Sequence, residues 1–425
     1  MNKMKHIYFL LLWAMFLEQG AYGTIDIDNY DWNAEQKIWY EKDGTRKIEK
    51  WKKIIKDTQD KITTSDDKAQ CSRKCIAETY IDLFFPEITK GSQYISKVAE
   101  IEQILVNKRN TQADLRTFTA GCYGNENFFK QTAIPLRQLI TNVLKVALER
   151  DKLDLSNNAA VQAFWEKIVI FLATARNAVA MVAGSNNMQY FGIPMDEGFL
   201  VESFHNIFSP AQVRLVHWLA SKDYTTLPED WEMLQPKNYT TVLETQVTDR
   251  GHIFHSKQNM LFIGNCIFKE CMEEANHLKK NPSNPEALAA FTQAMKKFMY
   301  IWSQSSTCHR GQAAILAMLA DSIVKYAGFQ LKRPEIPEEV RIALAQLTER
   351  FPESGKVEGS ETETGYTVWA RGVNFPRKKN EKWLQDLYYH CDVFALLMPS
   401  FEAFDERYKC EFVPIQTDET PPETT

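Results

Sequence analysis

The side chains that could do chemistry are concentrated in one short segment of the chain. Eight consecutive residues supply hydroxyl, thiol, imidazole, guanidinium and carboxamide groups: Ser305, Ser306, Thr307, Cys308, His309, Arg310, Gly311 and Gln312. An apolar helical pattern follows over residues 313–326, which predicts that the segment lies at the start of a helix. Free backbone N–H groups and the positive end of the helix dipole favour an anion there. The sequence therefore predicts an anion-binding helix start.

Two roles are expected within this segment. Arg310 can form paired hydrogen bonds to a carboxylate or phosphate, and Gly311 lets a ligand approach the backbone closely. The field at a helix start lowers the pKa of a thiol, so Cys308 is the predicted nucleophile and His309 an acid–base candidate. The remaining predicted ligand-binding residues are Ser305, Ser306, Thr307 and Gln312. The competing interpretation is that the hydroxyls are ordinary helix caps and Cys308 is half of a disulfide.

Known catalytic motifs do not match this segment. It differs from the tyrosine-phosphatase loop, His-Cys-x5-Arg, because Ala314 stands where that arginine belongs and the histidine follows the cysteine. It also lacks the His-Pro-Phe-x-x-Gly-Asn-Gly-Arg run of Fic transferases, so we assign it to neither family. The chain contains no Gly-rich phosphate loop, His-Glu-x-x-His, Gly-x-Ser-x-Gly or Cys-x-x-Cys. The sequence identifies no cofactor.

A second group of residues has the side chains that zinc prefers. It consists of His252, His255, Cys266, Cys271 and His277. Zinc takes four nitrogen or sulfur ligands, but these spacings match no common zinc module. Aromatic and apolar neighbours favour packed core histidines instead. We therefore predict no metal site.

A third feature is the loop at residues 190–199, which combines turn formers, aromatic residues and the carboxylates of Asp196 and Glu197. Such loops often line binding clefts, and an equally good interpretation is a hydrophobic plug at a helix junction. A paired-carboxylate mechanism would need these two groups, or one of them with Glu202, to face each other about 5–9 Å apart.

The first 23 residues have the pattern of a secretory signal peptide. Two lysines precede an apolar run at residues 7–17, and Ala21 and Gly23 are small residues at the −3 and −1 positions. The run is too short to span a bilayer, which takes about 20 residues. We expect cleavage before Thr24 and a secreted or periplasmic protein.

Eight cysteines lie beyond the predicted signal peptide: Cys71, Cys75, Cys122, Cys266, Cys271, Cys308, Cys391 and Cys410. An even number of cysteines in an exported chain favours disulfide bonds, although the sequence does not select among the pairings. Cys71 and Cys75 are one helical turn apart and share a face. We expect each of them to pair elsewhere rather than with the other.

The charge of the chain argues against a nucleic-acid partner, and its hydropathy argues against a transmembrane segment. The formal net charge is −5, and the only basic cluster is at residues 377–379, so binding to nucleic acid is not expected. The most apolar window, residues 160–183, is interrupted by Glu166, Lys167 and Arg176. This favours a buried helix, and no transmembrane segment is predicted in the mature chain.

Helical periodicity predominates, so the predicted fold is mainly α, a large multi-helix globular protein with little β structure. Predicted helices cover residues 69–85, 95–106, 136–148, 158–183, 211–221, 285–302, 313–326, 336–350 and 382–398, and a short strand covers residues 366–370. The predicted domain organisation is a helical region at 24–352 with a break near 184–198, a polar linker at 353–365, a helical segment at 366–412 that packs on the core, and a disordered tail at 413–425.

These observations favour an exported interaction or virulence-type factor whose partner is another protein or a small anionic ligand. The alternative is a secreted transferase or hydrolase acting on a phosphate- or carboxylate-bearing substrate, with Cys308 or His309 performing the chemistry beside Arg310. The interaction class is preferred because the sequence contains no specific catalytic motif.

Overall fold

The structure is a computed structural model, and most of the chain that it describes is helical. The described residues are 25–106, 126–149, 153–183, 188–195, 239–240, 242–244, 246–247, 253–254, 259–305, 307–332, 395, 398–408 and 410–415. Helices account for 74% of these residues and strands for 6%, which confirms the predicted mainly α fold with little β structure.

Ten α-helices are present in the described ranges. They are α1 (Trp32–Trp39), α2 (Thr45–Thr63), α3 (Lys68–Phe84), α4 (Ser92–Val106), α5 (Glu126–Glu149), α6 (Asn158–Ala183), α7 (Ile267–Lys280), α8 (Pro285–Gln304), α9 (Gln312–Tyr326) and α10 (Phe401–Arg407). A π-helical segment, Tyr40–Gly44, joins α1 directly to α2, and 3₁₀ turns lie at Met188–Tyr190 and Met260–Asn265.

Side-chain caps mark several of the helix starts. Asp31, Asp67, Asn284 and Ser400 each accept a hydrogen bond from a backbone N–H in the first turn of α1, α3, α8 and α10. Such a bond satisfies one of the N–H groups that lack a partner within the helix. At α8 the cap is followed by Pro285 at the first helical position, the pattern from which the sequence predicts this helix.

Helix α6 is the centre of the molecule. It packs against α2, α3, α5, α9 and the 3₁₀ turn Met260–Asn265. Residues 168–180 are all buried, because neighbours surround this part of the helix on every side. Trp165 lies where α6, α7 and α8 meet, with its ring centroid 4.7 Å from that of Phe268 and 5.6 Å from that of Trp302.

The strands are short and form two small antiparallel sheets. One contains β1 (Tyr239–Thr240), β2 (Gln246–Val247) and β3 (Ile253–Phe254) in that order. The other pairs β4 (Phe329–Lys332), directly after α9, with β5 (Glu411–Pro414).

Strand β5 corrects the predicted start of the disordered tail at residue 413. Val413 pairs with Gln330 and Pro414 with Phe329, so both residues belong to a sheet. Phe412 is buried there, with its ring centroid 5.3 Å from that of Phe291. Burial of this aromatic ring stabilises a strand whose sequence alone is too short to specify one.

Other described residues of the C-terminal region pack on α8. The Tyr300 hydroxyl donates to the carbonyl of Met398 over 3.2 Å, and Phe404 stacks on the Tyr300 ring with centroids 5.5 Å apart. Several predictions lie outside the described residues: the helices at 211–221, 336–350 and most of 382–398, the strand at 366–370, the linker at 353–365, and residues 184–187 and 196–198 of the predicted break.

Candidate functional site

The predicted segment forms the connection between α8 and α9. Ser305 is the C-cap of α8, Gly311 is the N-cap of α9, and Gln312 is the first residue of α9. The expectation that the segment lies at the start of an apolar helix is therefore confirmed. Ser306 lies outside the described residues.

The Gln312 side chain closes this connection onto the end of α8. Its oxygen accepts a hydrogen bond from the N–H of Thr307 over 2.7 Å. Its nitrogen donates to the carbonyl of Trp302 over 2.7 Å and also to the carbonyl of Ser305. Both amide hydrogens are thus used inside the protein, so Gln312 shapes the loop rather than offering donors to a ligand.

The described hydroxyls of the segment also point inward. The Ser305 hydroxyl donates to the Trp302 carbonyl over 3.2 Å and lies 3.4 Å from the Thr307 hydroxyl oxygen. Both residues are fully buried. These two predicted ligand-binding residues therefore hold the end of α8 and are not presented to solvent.

The segment pairs with the other loop that the sequence singled out, residues 190–195. The N–H of Gly192 donates to the Arg310 carbonyl over 3.0 Å, that of His309 to Ile193 over 2.9 Å, and that of Met195 to Thr307 over 3.1 Å. We call residues 188–195 and 305–312 together the clasp. Neither segment contains a signal that predicts this pairing. Asp196, Glu197 and Glu202 lie outside the described residues.

Cys308 is buried in the hydrophobic core, with 3% of its surface exposed. Burial raises the pKa of its thiol far above the ordinary value. The expectation that the helix start lowers this pKa is wrong, because the loss of hydration of the charged form outweighs the field of the helix. The thiolate that a nucleophile needs is strongly disfavoured at neutral pH.

The two residues after Cys308 differ in exposure. His309 is 6% exposed, and its ring centroid lies 6.2 Å from that of Tyr190, the last residue of the 3₁₀ turn. Arg310 is exposed to solvent. It is the one described side chain of the segment that can reach a partner in solution without rearrangement of the clasp.

Gly311 is required by backbone conformation and by packing. Its φ is +86°, a left-handed value that side chains with a Cβ rarely adopt. A Cβ here would also lie 2.9 Å from Cγ of Arg176 and 3.1 Å from Cδ1 of Phe191. The close approach that the sequence predicted is therefore made by Arg176, a residue of the protein itself.

Arg176 and Asn177 on α6 pack against the clasp, and sequence reasoning missed both. The guanidinium carbon of Arg176 lies 4.1 Å from the centroid of the Phe191 ring. Asn177 donates to the Phe191 carbonyl over 2.7 Å. Both residues are buried. The sequence does contain a signal for them, because an arginine next to an asparagine inside an apolar helical window is costly to bury. Such a pair therefore indicates a structural or binding role.

Helix α9 differs from the capped helices described above. Gly311 provides no side-chain hydrogen bond, and no described side chain caps its first turn. The exposed Arg310 precedes this start directly and the buried Arg176 packs against it. Chemically, the arrangement offers the exposed guanidinium of Arg310 next to the positive end of a helix dipole.

The six described cysteines, Cys71, Cys75, Cys266, Cys271, Cys308 and Cys410, are free thiols. The predicted disulfides are therefore not formed among them, and Cys122 and Cys391 lie outside the described residues. Burial raises the pKa of Cys266 to about 12 and that of Cys271 further. Thiols in such surroundings behave as small apolar side chains.

The histidines and cysteines of the second group are not assembled in the part of the chain that can be described. Cys271 is buried beside Met295, with their sulfurs 3.1 Å apart, whereas the His277 side chain is exposed and lies 3.7 Å from a Glu274 oxygen. No group of three or more His, Cys, Asp or Glu side chains able to hold a metal occurs among the described residues. His252 and His255 lie outside them.

The chain matches no protein-family model, no curated protein and no solved structure. Among the described helices, none combines the length and apolar character needed to cross a membrane.

Proposed function

We propose that this protein is an exported, non-catalytic binding protein that recognises an anionic group at the start of α9. The observation that carries this proposal is the exposed guanidinium of Arg310 beside a helix start that no described side chain caps. A carboxylate or phosphate there would accept charge-assisted hydrogen bonds from Arg310 and N–H bonds from the first turn of the helix. The anion would belong to a partner protein or to a small ligand.

The surroundings of Cys308 support binding rather than turnover. Its thiol is buried and its pKa is raised, and the amide of Gln312 is engaged in holding the loop. The alternative of a transferase or hydrolase requires an accessible nucleophile and a positioned base. No observation in the clasp favours that alternative.

The amino-terminal pattern supports export. Ile27 and Trp32, which follow the predicted cleavage site closely, are already buried in the core. Cleavage before Thr24 would leave both of these core side chains in the mature protein, and residues 1–24 lie outside the described part of the chain.

The anion site is tested by removing one guanidinium. Inorganic phosphate is titrated into the full mature chain while backbone amide resonances are followed by NMR. We expect phosphate to shift the amides of residues 311–314, and Arg310→Ala to weaken this binding about tenfold, the range of a hydrogen bond to a charged group.

Arg46→Ala is the matched control, because Arg46, near the start of α2, is also exposed and lies 3.4 Å from Asp43 of the π-helical segment. It removes the same charge and should leave the phosphate affinity unchanged. Equal weakening by both substitutions would indicate a general charge effect and contradict the site. An absence of any shift at residues 311–314 would contradict the proposed function itself.

A further inference from the structure

Two thiols of α3 lie together near its start, outside the clasp. Cys71 and Cys75 are one turn apart on this helix, and Cys71 lies in the first turn, where its N–H donates to the Asp67 carbonyl over 3.0 Å. Cys71 is half-buried, whereas Cys75 is buried with 3% exposure. An accessible thiol thus stands directly beside an inaccessible one.

The two sulfurs interact with each other and with one cation. Burial first, and then the charge and hydrogen bonding of Cys71, raise the pKa of Cys75 to about 12, while the ammonium of Lys61 acts to lower it. Lys61 lies 3.0 Å from the Glu78 carboxylate, and its own pKa is raised mainly by that hydrogen bond and further by both cysteines. The cluster therefore contains two thiols, an ammonium and a carboxylate between α2 and α3.

We propose that Cys71 and Cys75 form a reversible thiol–disulfide pair that exchanges with a low-molecular-weight disulfide such as glutathione disulfide. Cys71 is the attacking thiol because it is accessible, and Cys75 is the resolving thiol because it is held beside Cys71 and screened from solvent. This proposal differs from the sequence-based expectation that each of these cysteines pairs elsewhere.

The exchange consists of two balanced displacements. The Cys71 thiolate attacks one sulfur of glutathione disulfide, forms a mixed disulfide and releases one glutathione thiolate. The Cys75 thiolate then attacks the Cys71 sulfur, forms the Cys71–Cys75 bond and releases the second glutathione. Two protons leave the protein thiols, two glutathione thiolates take them up, and glutathione disulfide is the oxidant.

The first step also prepares the second. While Cys71 is a thiolate, its negative charge opposes ionisation of Cys75. Conversion of Cys71 to a mixed disulfide removes that charge, and the ammonium of Lys61 remains to stabilise a thiolate at Cys75. The mixed disulfide thus removes the part of the raised Cys75 pKa that comes from Cys71, whereas burial, the larger cause, remains.

Closure of the bond requires a local change in α3. Side chains four residues apart on a helix have Cβ atoms about 5–6 Å apart, whereas a disulfide needs about 3.5–4.5 Å. Because Cys71 lies in the first turn, residues 68–71 can unwind from the Asp67 cap and supply this movement. A disulfide formed at such a cost is easily reduced, which suits a reversible pair.

The pair can be tested by mass spectrometry because trypsin cuts between the two cysteines. Arg73 and Lys74 separate them, so a Cys71–Cys75 bond links the peptides 69–73 and 75–90. The full mature chain is incubated with glutathione disulfide, quenched with acid, alkylated and digested. We expect the linked peptides in the wild type, loss of the link on subsequent treatment with reduced glutathione, and accumulation of glutathione on Cys71 in Cys75→Ser.

The reciprocal variant and one remote thiol supply the controls. In Cys71→Ser we expect glutathionylation of Cys75 at least tenfold slower than that of Cys71 in Cys75→Ser, since Cys75 is buried. Cys410, a half-buried thiol with no described cysteine beside it, should not form a linked product with either peptide. Circular dichroism checks that both serine variants are folded.

Three results would overturn the proposal. They are reaction of Cys75 as fast as Cys71, failure of glutathione to accumulate on Cys71 in folded Cys75→Ser, and a bond from either thiol to a third cysteine such as Cys122. None of these results bears on anion binding at α9, so the two proposals are tested independently.

Discussion

Gln312 uses a single side-chain amide to bond three backbone groups at the end of α8 and the start of the α8–α9 connection. Thr307 donates to its oxygen, and the carbonyls of Trp302 and Ser305 accept from its nitrogen. These backbone groups lie where the chain leaves α8, and the Trp302 carbonyl also accepts from the N–H and the hydroxyl of Ser305. A buried polar group that loses its hydrogen bond is destabilised by its full desolvation free energy. The Gln312 side chain therefore contributes strongly to local stability.

Gln312→Ala should therefore lower the free energy of unfolding by about 2–4 kcal/mol, because it removes the side-chain partner of the Thr307 N–H and of the Ser305 carbonyl and one of the donors to the Trp302 carbonyl. Urea unfolding followed by circular dichroism measures this change. Gln330→Ala is the control, since Gln330 is exposed on β4. A loss for Gln312→Ala no greater than that for Gln330→Ala would mean that the amide does not hold the clasp.

At the scale of elements, α1, the π-helical segment and α2 form one continuous helix. The π-helical segment determines which side chains of this helix face α6. Trp39 and Lys47 are eight residues apart, which in a regular α-helix turns them about 80° away from each other. The π-helical segment takes up one additional residue and brings them near a seven-residue spacing, about 20° apart. Both side chains can then reach one carboxylate, that of Glu166.

Glu166 is buried, and one of its oxygens accepts three hydrogen bonds. The donors are the Trp39 indole at 3.0 Å, the Lys47 ammonium at 2.8 Å and the Gln162 amide at 2.7 Å. Burial lowers the pKa of Lys47, but hydrogen bonds to Glu166 and Asp43 outweigh this, so the pKa is raised overall. The carboxylate thus joins α1, α2 and α6.

Glu166→Ala should lower the free energy of unfolding by about 2–3 kcal/mol, since it leaves the Trp39 indole without its acceptor and the partly buried ammonium of Lys47 with Asp43 alone. Glu49→Ala is the matched control, because Glu49 pairs with Lys52 at 2.9 Å on the surface of α2 and should contribute less than about 1 kcal/mol. Chemical denaturation of both variants distinguishes them. Equal losses would show that Glu166 does not link these helices.

At the scale of the whole molecule, both ends of the described chain are tied to the helical body. Ile27 is buried, and the Asp28 carboxylate accepts a hydrogen bond from the N–H of Phe401 over 3.0 Å. Strand β5 pairs with β4 directly after α9. Residues from opposite ends of the sequence therefore meet in one folded unit, and the proposed cleavage site precedes the first buried residue.

The exported protein should begin at Thr24. N-terminal sequencing of the protein recovered from the medium or periplasm after expression of the full precursor measures this. Leu11→Arg places a charge in the apolar run and should keep the uncleaved precursor inside the cell, whereas Leu11→Ile preserves the run and should be exported normally. Export of the arginine variant, or a mature start beyond Ile27, would contradict the proposed signal peptide.

The sequence by itself determined the helical class and the bounds of several helices, because periodic burial, N-caps and prolines act over a few neighbouring residues. The pattern at Asn284 and Pro285 marks the start of α8, and the end of α3 falls just before Pro86, as predicted. It also located residues 305–312, which join α8 to α9. These features depend on local interactions, which a short stretch of chain contains in full.

Only the tertiary structure decided what those eight residues do. The burial of Cys308, the contact of Arg176 with Gly311 and the pairing with residues 190–195 involve groups more than a hundred residues apart. The pKa of a thiol depends on its hydration, and hydration depends on which distant elements cover it. For this reason the residues that indicated a nucleophile in the sequence are part of a buried clasp in the fold. Among the described side chains of residues 305–312, only that of Arg310 is exposed.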